Sequence, residues 1–249
     1  MKKLLTILPK KSGRSRGTIT VRHQGGRQKR FLREVDFKRK RKDVWGTVYA
    51  IEYDPNRNAF VALVFYENGE KGYILSPLGL KEGQKVMASV DAPIEVGNAL
   101  PIGKLPIGTQ IHNLEIRPGK GGQLVKGAGS VATIQGREDK YVLIKLPSGE
   151  TKRFDPMAWA TVGQMGNIEK KTENLGKAGR SRRMGIRPTV RGVAQHPNAH
   201  PHGGGEGRSG VGMKYPKTPY GKPAVGKTRR KGKYSDKLIV SERKRGPHH

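Results

Sequence analysis

Three histidines near the C-terminal end have a spacing that could bind a metal. His196, His200 and His202 form the pattern H-x-x-x-H-x-H, and three imidazoles can hold a zinc ion with one coordination position left open. The first two would share a face on a helix, but Pro197 and Pro201 lie inside the segment and are incompatible with one. The pattern therefore favours a loop, in which imidazoles can stack on or hydrogen-bond a partner, over a helical metal site. We expect no metal site.

Glycine-rich stretches also match nucleotide-binding patterns. Residues 221–228 fit the phosphate-loop pattern G-x-x-x-x-G-K-T, and residues 205–210 and 127–132 fit the dinucleotide pattern G-x-G-x-x-G or its G-x-G-x-x-A variant. Each mechanism needs a buried strand before the loop and a helix after it, and the flanking sequences predict neither. Acidic residues are scattered singly, without a catalytic arrangement. We therefore expect no enzyme, no cofactor and no small-molecule substrate.

Positive charge dominates the composition and is concentrated at both ends of the chain. The 249 residues include 50 Lys and Arg against 20 Asp and Glu, a formal net charge of +30. Residues 1–44 carry +13 and residues 173–249 carry +15, whereas residues 45–105 carry −2 and residues 106–172 carry +4. Such an excess repels itself unless a polyanion neutralises it, which indicates a phosphate backbone as partner.

A membrane is the competing anionic partner, and the sequence argues against it. The longest apolar run, residues 59–66, is far shorter than the roughly 20 residues needed to span a bilayer. The apolar start of the chain ends at Pro9-Lys10-Lys11, too early for a signal peptide. Since the chain has no cysteine, disulfides and thiolate metal sites are excluded. We expect no membrane contact.

Short β-strands are predicted in the middle of the chain. Residues 47–53 and 60–66 form a predicted hairpin, in which Tyr49, Ile51 and Tyr53 would share one face at period two. Asn68-Gly69 predicts a type I′ turn into a third strand at residues 73–75. Further strands are predicted at residues 110–116, 131–134, 141–146 and 152–154. Aromatic side chains at positions 49, 60, 65 and 73 could stack on bases, but their period favours core packing for most of them.

The predicted fold class is mainly β. Regularly spaced short strands favour two small barrels over one sandwich, and prolines at positions 93, 101 and 106 lead us to divide them near residue 105. Helices are expected only at residues 155–162 and 167–175. The predicted organisation is a basic N-terminal extension at 1–44, barrels at 45–105 and 106–172, and a basic Gly/Pro-rich extension at 173–249. The extensions cannot bury a core of their own and are expected to become ordered on RNA.

The sequence resembles the universal ribosomal large-subunit protein two family. The likeness is most specific at residues 187–194 (Arg-Pro-Thr-Val-Arg-Gly-Val-Ala) and 200–208 (His-Pro-His-Gly-Gly-Gly-Glu-Gly-Arg). It extends to residues 17–23, 53–57, 112–113, 118–124, 176–180 and 234–237. The resemblance implies an oligonucleotide-binding-like (OB-like) barrel followed by an SH3-like barrel.

The resemblance also implies a function. A member of this family would be a structural constituent of the large ribosomal subunit that binds ribosomal RNA, supporting subunit assembly and association, transfer-RNA placement and the peptidyl-transferase region. Expected partners are large-subunit RNA, neighbouring ribosomal proteins and small-subunit RNA at the subunit interface. The expected location is a cytoplasmic ribosome, with an organellar one left open. The alternative is a non-ribosomal nucleic-acid packaging protein that uses the same charge without a two-barrel core.

Charge and resemblance together predict the RNA-binding side chains. They are Arg22, His23, Arg27, Arg39, Arg41, Lys120, Lys126, Lys177, Arg180, Arg182, Arg183, Arg187, Arg191, His200, His202, Arg208, Lys227, Arg229 and Arg230. The sequence departs from the family pattern at Gly72, where arginine is common, and at Gly26-Arg27-Gln28, which replaces Gly-Gly-His. Ala199 stands where an aspartate commonly precedes His200, so no carboxylate orients that imidazole. Gly203, Gly204 and Gly205 are expected to let the backbone approach RNA closely.

Overall fold

The structure, a computed structural model, describes residues 4–225, 232 and 234–243. Most of its regular elements are strands: β1 (Leu5–Ile7), β2 (Arg14–Ser15), β3 (Thr18–Ile19), β4 (Phe31–Arg33), β5 (Gly46–Glu52), β6 (Val61–Tyr66), β7 (Lys71–Leu75), β8 (Lys85–Val86), β9 (Ala99–Pro101), β10 (Gln110–His112), β11 (Leu114–Glu115), β12 (Gly122–Leu124), β13 (Ala132–Arg137), β14 (Val142–Lys145), β15 (Thr151–Phe154), β16 (Trp159–Val162) and β17 (Ile239–Ser241). The helices are α1 (Ala178–Met184) and short 3-10 helices at Ile102–Lys104, Ile168–Lys171, Gly192–Ala194 and Asp236–Leu238. None of these helices is long and apolar enough to cross a membrane.

The described chain divides into two compact units. The first contains residues 4–9, 29–174 and 237–243, and the second contains residues 10–28, 175–225, 232 and 234–236. Both predicted barrels lie in the first unit, together with parts of both predicted extensions.

The first sheet is antiparallel, with strand order β7-β6-β5-β8. Its central strand β6 is apolar on both faces, as expected for a short continuous apolar run between turns. On one face, Val61 and Leu63 pack with Tyr73, and on the other, Ala62 and Val64 pack with other buried apolar side chains. Burial on both faces makes β6 the strand that joins the two clusters of buried apolar side chains in the first barrel.

The predicted hairpin between β6 and β7 is confirmed, but its predicted turn type is wrong. Gly69 has a φ of +79°, whereas Asn68 is not among the residues with positive φ. The Gly69 N–H donates to the Tyr66 carbonyl at 2.9 Å. These features describe a type I turn followed by a left-handed glycine, the next most common hairpin connection.

The second sheet is also antiparallel, with strand order β17-β15-β14-β13-β10-β16-β9. Its core contains fifteen buried residues: Ala92, Leu100, Ile102, Leu105, Ile111, Leu114, Val125, Ala132, Ile134, Val142, Ile144, Phe154, Ala158, Ala160 and Val162. The division of the barrels near residue 105 stays a prediction. Strand β9 lies before residue 105 but pairs with β16 in this second sheet.

The secondary structure differs from the predicted elements at three places. The helix predicted at residues 155–162 is wrong, because residues 159–162 form β16 between β9 and β10, where both neighbours satisfy its backbone groups. The helix predicted at residues 167–175 is limited to a 3-10 helix at Ile168–Lys171. The strand predicted at 110–116 is divided at Asn113, which has a φ of +49°.

Parts of both extensions join the first unit. Strand β1 pairs with β4, and Val35 is buried in the core that contains Tyr73. Near the other end, β17 pairs with β15 at the edge of the second sheet. The segments at 29–44 and 237–243 are therefore continuous with the folded core.

The second unit is organised by backbone contacts. Strands β2 and β3 form a small hairpin, and Gln24 pairs with Ile186 in an isolated bridge. Helix α1 ends at Met184 and is followed by Gly185, whose φ of +94° provides the left-handed cap. Among its described residues, no apolar side chain is buried. This unit therefore lacks the apolar burial that drives independent folding, as predicted for a segment that becomes ordered on a partner.

Candidate nucleic-acid interface

Most of the predicted RNA-binding side chains in the described part of the chain are accessible. The exposed ones are Arg22, His23, Lys120, Lys177, Arg180, Arg182, Arg183, Arg191 and Arg208, and the half-buried ones are Arg27, Arg41, Lys126, Arg187 and His202. Arg39 and His200 are buried. Lys227, Arg229 and Arg230 lie outside the described residues, as does the end of the phosphate-loop-like stretch.

Three predicted residues of the first unit meet in one basic cleft. Arg41, Lys120 and Lys126 line this cleft. Three further cations that the prediction missed, Lys38, Lys40 and Lys71, line it as well, and the acidic side chains on its walls are Glu34 and Asp36. Six cations against two carboxylates give this cleft the positive field that a phosphate backbone requires.

An aromatic ring holds part of this cleft in place. The Lys126 ammonium lies 4.2 Å from the centroid of the Phe37 ring, and the Arg57 guanidinium lies 5.4 Å from it. Burial, and then the charge of Arg57, lower the pKa of Lys126. The ring fixes the positions of two cations that otherwise repel each other.

Arg41 occupies space that a side chain at position 72 would need. A Cβ atom built on Gly72 would lie 3.0 Å from one guanidinium nitrogen of Arg41. The guanidinium carbon stands 5.0 Å from the centroid of the Tyr66 ring, and the group is paired with Asp36 and Glu70. The departure from the family pattern at Gly72 therefore leaves a cation at this wall of the cleft, supplied by Arg41.

Arg39 has a different environment from the other predicted residues. Its side chain is buried, and one of its guanidinium nitrogens donates to the Gly97 carbonyl at 2.8 Å and to the Met87 carbonyl at 3.5 Å. Burial lowers its pKa. The expected phosphate contact of Arg39 conflicts with this placement, because its guanidinium faces the protein interior and ties the backbone of residues 87 and 97 to the N-terminal segment.

A second basic cluster forms in the second unit around α1. The Gly25 N–H donates to the Gly185 carbonyl at 2.7 Å, and the Gln28 N–H donates to the Arg183 carbonyl at 2.9 Å. A Cβ atom at Gly25 would lie 3.1 Å from the Arg187 side chain and 3.8 Å from that of Arg182. The close backbone approach at Gly25 thus joins the cations of residues 22–27 to those of residues 180–187.

The histidine loop is held by its own backbone. The Asn198 N–H donates to His196 Nδ1 at 3.3 Å, the His202 N–H donates to His200 Nδ1 at 3.0 Å, and the Lys217 N–H donates to His202 Nε2 at 2.8 Å. Each of these ring nitrogens accepts a hydrogen bond from a backbone N–H, so the imidazoles take part in the loop's own hydrogen bonding. No group of three or more His, Asp or Glu side chains in the described chain could hold a metal ion.

His200 is packed more tightly than its neighbours. A Cβ atom at Gly192 would lie 2.5 Å from a ring carbon of His200, and the ring centroid of His202 is 4.7 Å away. Burial, followed by the charges of His202 and Arg22, lowers the pKa of His200. The imidazole is therefore biased towards its neutral form and stabilises the loop.

The three glycines of this loop lie against other parts of the protein, in contrast to the expected approach to RNA: Gly203 faces backbone atoms, and Gly204 and Gly205 face the side chains of Pro197 and Ser209. A Cβ atom at Gly203 would lie 2.5 Å from the Gln195 carbonyl oxygen, and one at Gly205 would overlap the Ser209 hydroxyl. Gly204 and Gly205 also have φ angles of +92° and +88°, which other residues rarely adopt. The glycines therefore let the loop close on itself.

The fold and these surfaces define a mainly β nucleic-acid-binding protein with strongly basic extensions. Comparison with known families narrows the class: residues 1–88 match the RNA-binding N-terminal domain of Ribosomal Proteins L2, and residues 95–221 match the C-terminal domain of Ribosomal Proteins L2. The chain belongs to the ribosomal protein L2 family.

This membership has three consequences. The protein is a structural component of the large ribosomal subunit that binds ribosomal RNA. The predicted fold class, an OB-like barrel followed by an SH3-like barrel between basic extensions, is confirmed. The alternative of a non-ribosomal packaging protein is set aside.

Proposed function

We propose that the basic cleft of the first unit and the cluster around α1 are the main surfaces through which this protein contacts large-subunit RNA. The main supporting observation comes from the second unit: its described residues bury no apolar side chain, and they carry many exposed arginines. A segment of this kind gains its order from a polyanionic partner. The predicted RNA-binding residues, apart from Arg39 and His200, whose side chains are buried, are carried into this proposal.

The resemblance supports finer roles. The protein supports subunit assembly, association with the small subunit, transfer-RNA placement and the peptidyl-transferase region. Its further partners are neighbouring ribosomal proteins and small-subunit RNA, within a cytoplasmic or organellar ribosome. The positive φ glycines of the histidine loop favour a shaped backbone surface for such contacts.

We also propose that no side chain of the histidine loop transfers a proton in peptide-bond formation. A general base needs a nitrogen that is available to the substrate and, typically, a partner that orients the ring. His200 Nδ1 already accepts the His202 N–H, and Ala199 supplies no carboxylate beside it. Both observations favour a role in loop structure.

Salt dependence of RNA binding tests the proposed surfaces. The logarithm of the affinity should fall with the logarithm of salt concentration, since each neutralised phosphate adds about 0.7 to 0.9 to the slope. Replacing Lys38, Lys120 and Lys126 together by alanine should therefore reduce the slope by about 2 to 3. The binding of full-length protein to large-subunit RNA transcripts would be measured between low and high salt.

A matched control distinguishes the cleft from charge in general. Lys81, Lys140 and Lys145 are exposed lysines elsewhere on the first unit, and their triple alanine variant removes the same charge. We expect this control to keep most of the wild-type slope. Equal losses for the two triple variants would show that RNA does not use the cleft.

A further inference from the structure

In the OB-like barrel, the exposed aromatic side chain of Tyr49 lies at a β-bulge in strand β5. Along β5 and β6, Val48 pairs with Val64 and Ala50 pairs with Leu63, so Tyr49 is an extra residue without a partner opposite it. Bulges re-aim side chains and bend the strand. Tyr49 is 60% exposed, and the predicted common face of Tyr49 with Ile51 is lost at this point.

Tyr49 is nevertheless held in one orientation. Its ring is parallel to that of Phe65, with an angle of 6° between the planes and 4.6 Å between the centroids. The Lys71 ammonium lies 4.4 Å from the centroid of the same Phe65 ring. Tyr49 belongs to β5 and Lys71 to β7, the two strands that flank the β6 strand of Phe65. The outer face of Tyr49 ends this stack and is open to solvent.

Lysines flank the stack on both edges of the sheet. Phe65 pairs with Thr47 on one side and Lys71 on the other, and Thr47 pairs in turn with Lys85. A cross-strand row of residues thus runs across all four strands with a lysine at each end. The one carboxylate described close to Lys85, that of Glu67, is 4.0 Å from its ammonium, at the limit of an ion pair and exposed.

We propose that the outer face of Tyr49 is a stacking platform for one unpaired nucleobase of ribosomal RNA, with Lys71 and Lys85 beside the phosphates that flank it. An open π face attracts any base, because every base has a π face of its own. The two lysines favour a nucleotide over an apolar protein side chain, since they complement phosphate. This inference rests on the RNA-binding function and adds a contact that recognises single-stranded RNA.

Substitutions of Tyr49 test the platform in full-length protein. Tyr49→Leu keeps an apolar side chain but removes the π face, and it should raise the Kd for large-subunit RNA by about fivefold to a hundredfold. Tyr49→Trp and Tyr49→Phe retain a ring and should restore affinity to within about threefold of the wild type. The salt slope should be unchanged in all three, because no phosphate contact is removed.

Tyr53 provides a matched control. It is 59% exposed, close to the value for Tyr49, and Tyr53→Leu should bind RNA as the wild type does. If Tyr49→Leu binds as tightly as the wild type while the wild type shows a steep salt slope, the platform is wrong and the RNA-binding function stands. A wild-type protein without salt-dependent binding would instead overturn both.

The identity of the occupant is tested in purified large subunits. Ultraviolet irradiation followed by mass spectrometry should join Tyr49 to a nucleotide. A crosslink from Tyr49 to another ribosomal protein, together with unchanged binding of Tyr49→Leu to naked RNA, would show that a protein covers this ring and would overturn the proposal.

Discussion

The buried His112 makes the stability of the first unit depend on pH. This side chain lies in β10 with none of its surface exposed, and its Nδ1 lies 2.8 Å from the Gly163 carbonyl oxygen. Since a carbonyl only accepts, Nδ1 carries the proton and Nε2 is the atom that would be protonated in acid. In the described part of the chain, no protein group is hydrogen-bonded to Nε2.

These surroundings disfavour the imidazolium. Burial lowers the pKa of His112 from 6.5 to about 4, the hydrogen bond to Gly163 opposes part of that shift, and the charge of Arg39 adds to it. The unfolded chain therefore binds more protons at His112 than the folded chain does between about pH 4 and pH 6.5. Above pH 6.5 the imidazole is neutral in both states and the free energy of unfolding does not depend on it. As the pH falls from 6.5 towards 4, the unfolded chain is protonated first and the free energy of unfolding decreases.

The size of the effect follows from the shift. At about 1.4 kcal/mol per pKa unit, the difference between 6.5 and about 4 corresponds to a total of roughly 3 kcal/mol. About 2 kcal/mol of this should already be lost at pH 5, because the unfolded histidine is then almost fully protonated. A loss of that size is a large fraction of the stability of a typical domain.

The variant His112→Asn isolates this effect. The asparagine amide can donate to the Gly163 carbonyl in place of Nδ1 but does not titrate, and the cavity that it leaves lowers stability equally at every pH. Urea unfolding of both full-length proteins would be followed at pH 7.5 and pH 5 by the fluorescence of their two tryptophans, Trp45 and Trp159, the second of which is two residues from the Thr161 that pairs with His112. Wild-type protein should lose about 2 kcal/mol more than the variant over this range. Parallel losses would refute the reasoning.

Other consequences of the structure are open to direct measurement. Limited trypsin digestion should leave a fragment close to residues 29–174 while residues 10–28 and 175–225 are cut, and mass spectrometry of the fragments would detect any equal resistance that contradicts this division. Gly122→Ala should destabilise the first unit by about 1 to 3 kcal/mol, because its Cβ would overlap the Asn113 amide oxygen. Gly26→Ala, where the space is open, should be close to neutral in the same urea assay. His200→Gln should leave single-turnover peptide-bond formation on assembled ribosomes within about tenfold of normal, or roughly 1.4 kcal/mol. A loss of more than about a hundredfold, with disappearance of a titration near the histidine pKa, would instead establish catalysis.

Local sequence patterns determined much of the strand content and the distribution of charge. The apolar run at residues 61–66 is bounded by turn signals, and it forms the central strand of the first sheet because both its faces are apolar. The excess of cations at the two ends required a polyanion whatever the fold. Both kinds of information depend on neighbours within a few residues, so a single sequence carries them.

Pairing across the fold decided the remaining features. Residues 159–162 form a strand because β9 and β10 lie on both sides of them, and 239–241 form another at the edge offered by β15. Tyr49 is exposed because the register slips opposite β6, which a period-two pattern within one strand cannot reveal. Arg39 faces inward because carbonyls at residues 87 and 97 receive its donors. In each case the partner is distant in sequence, so tertiary structure alone decides which cations and rings reach the protein surface.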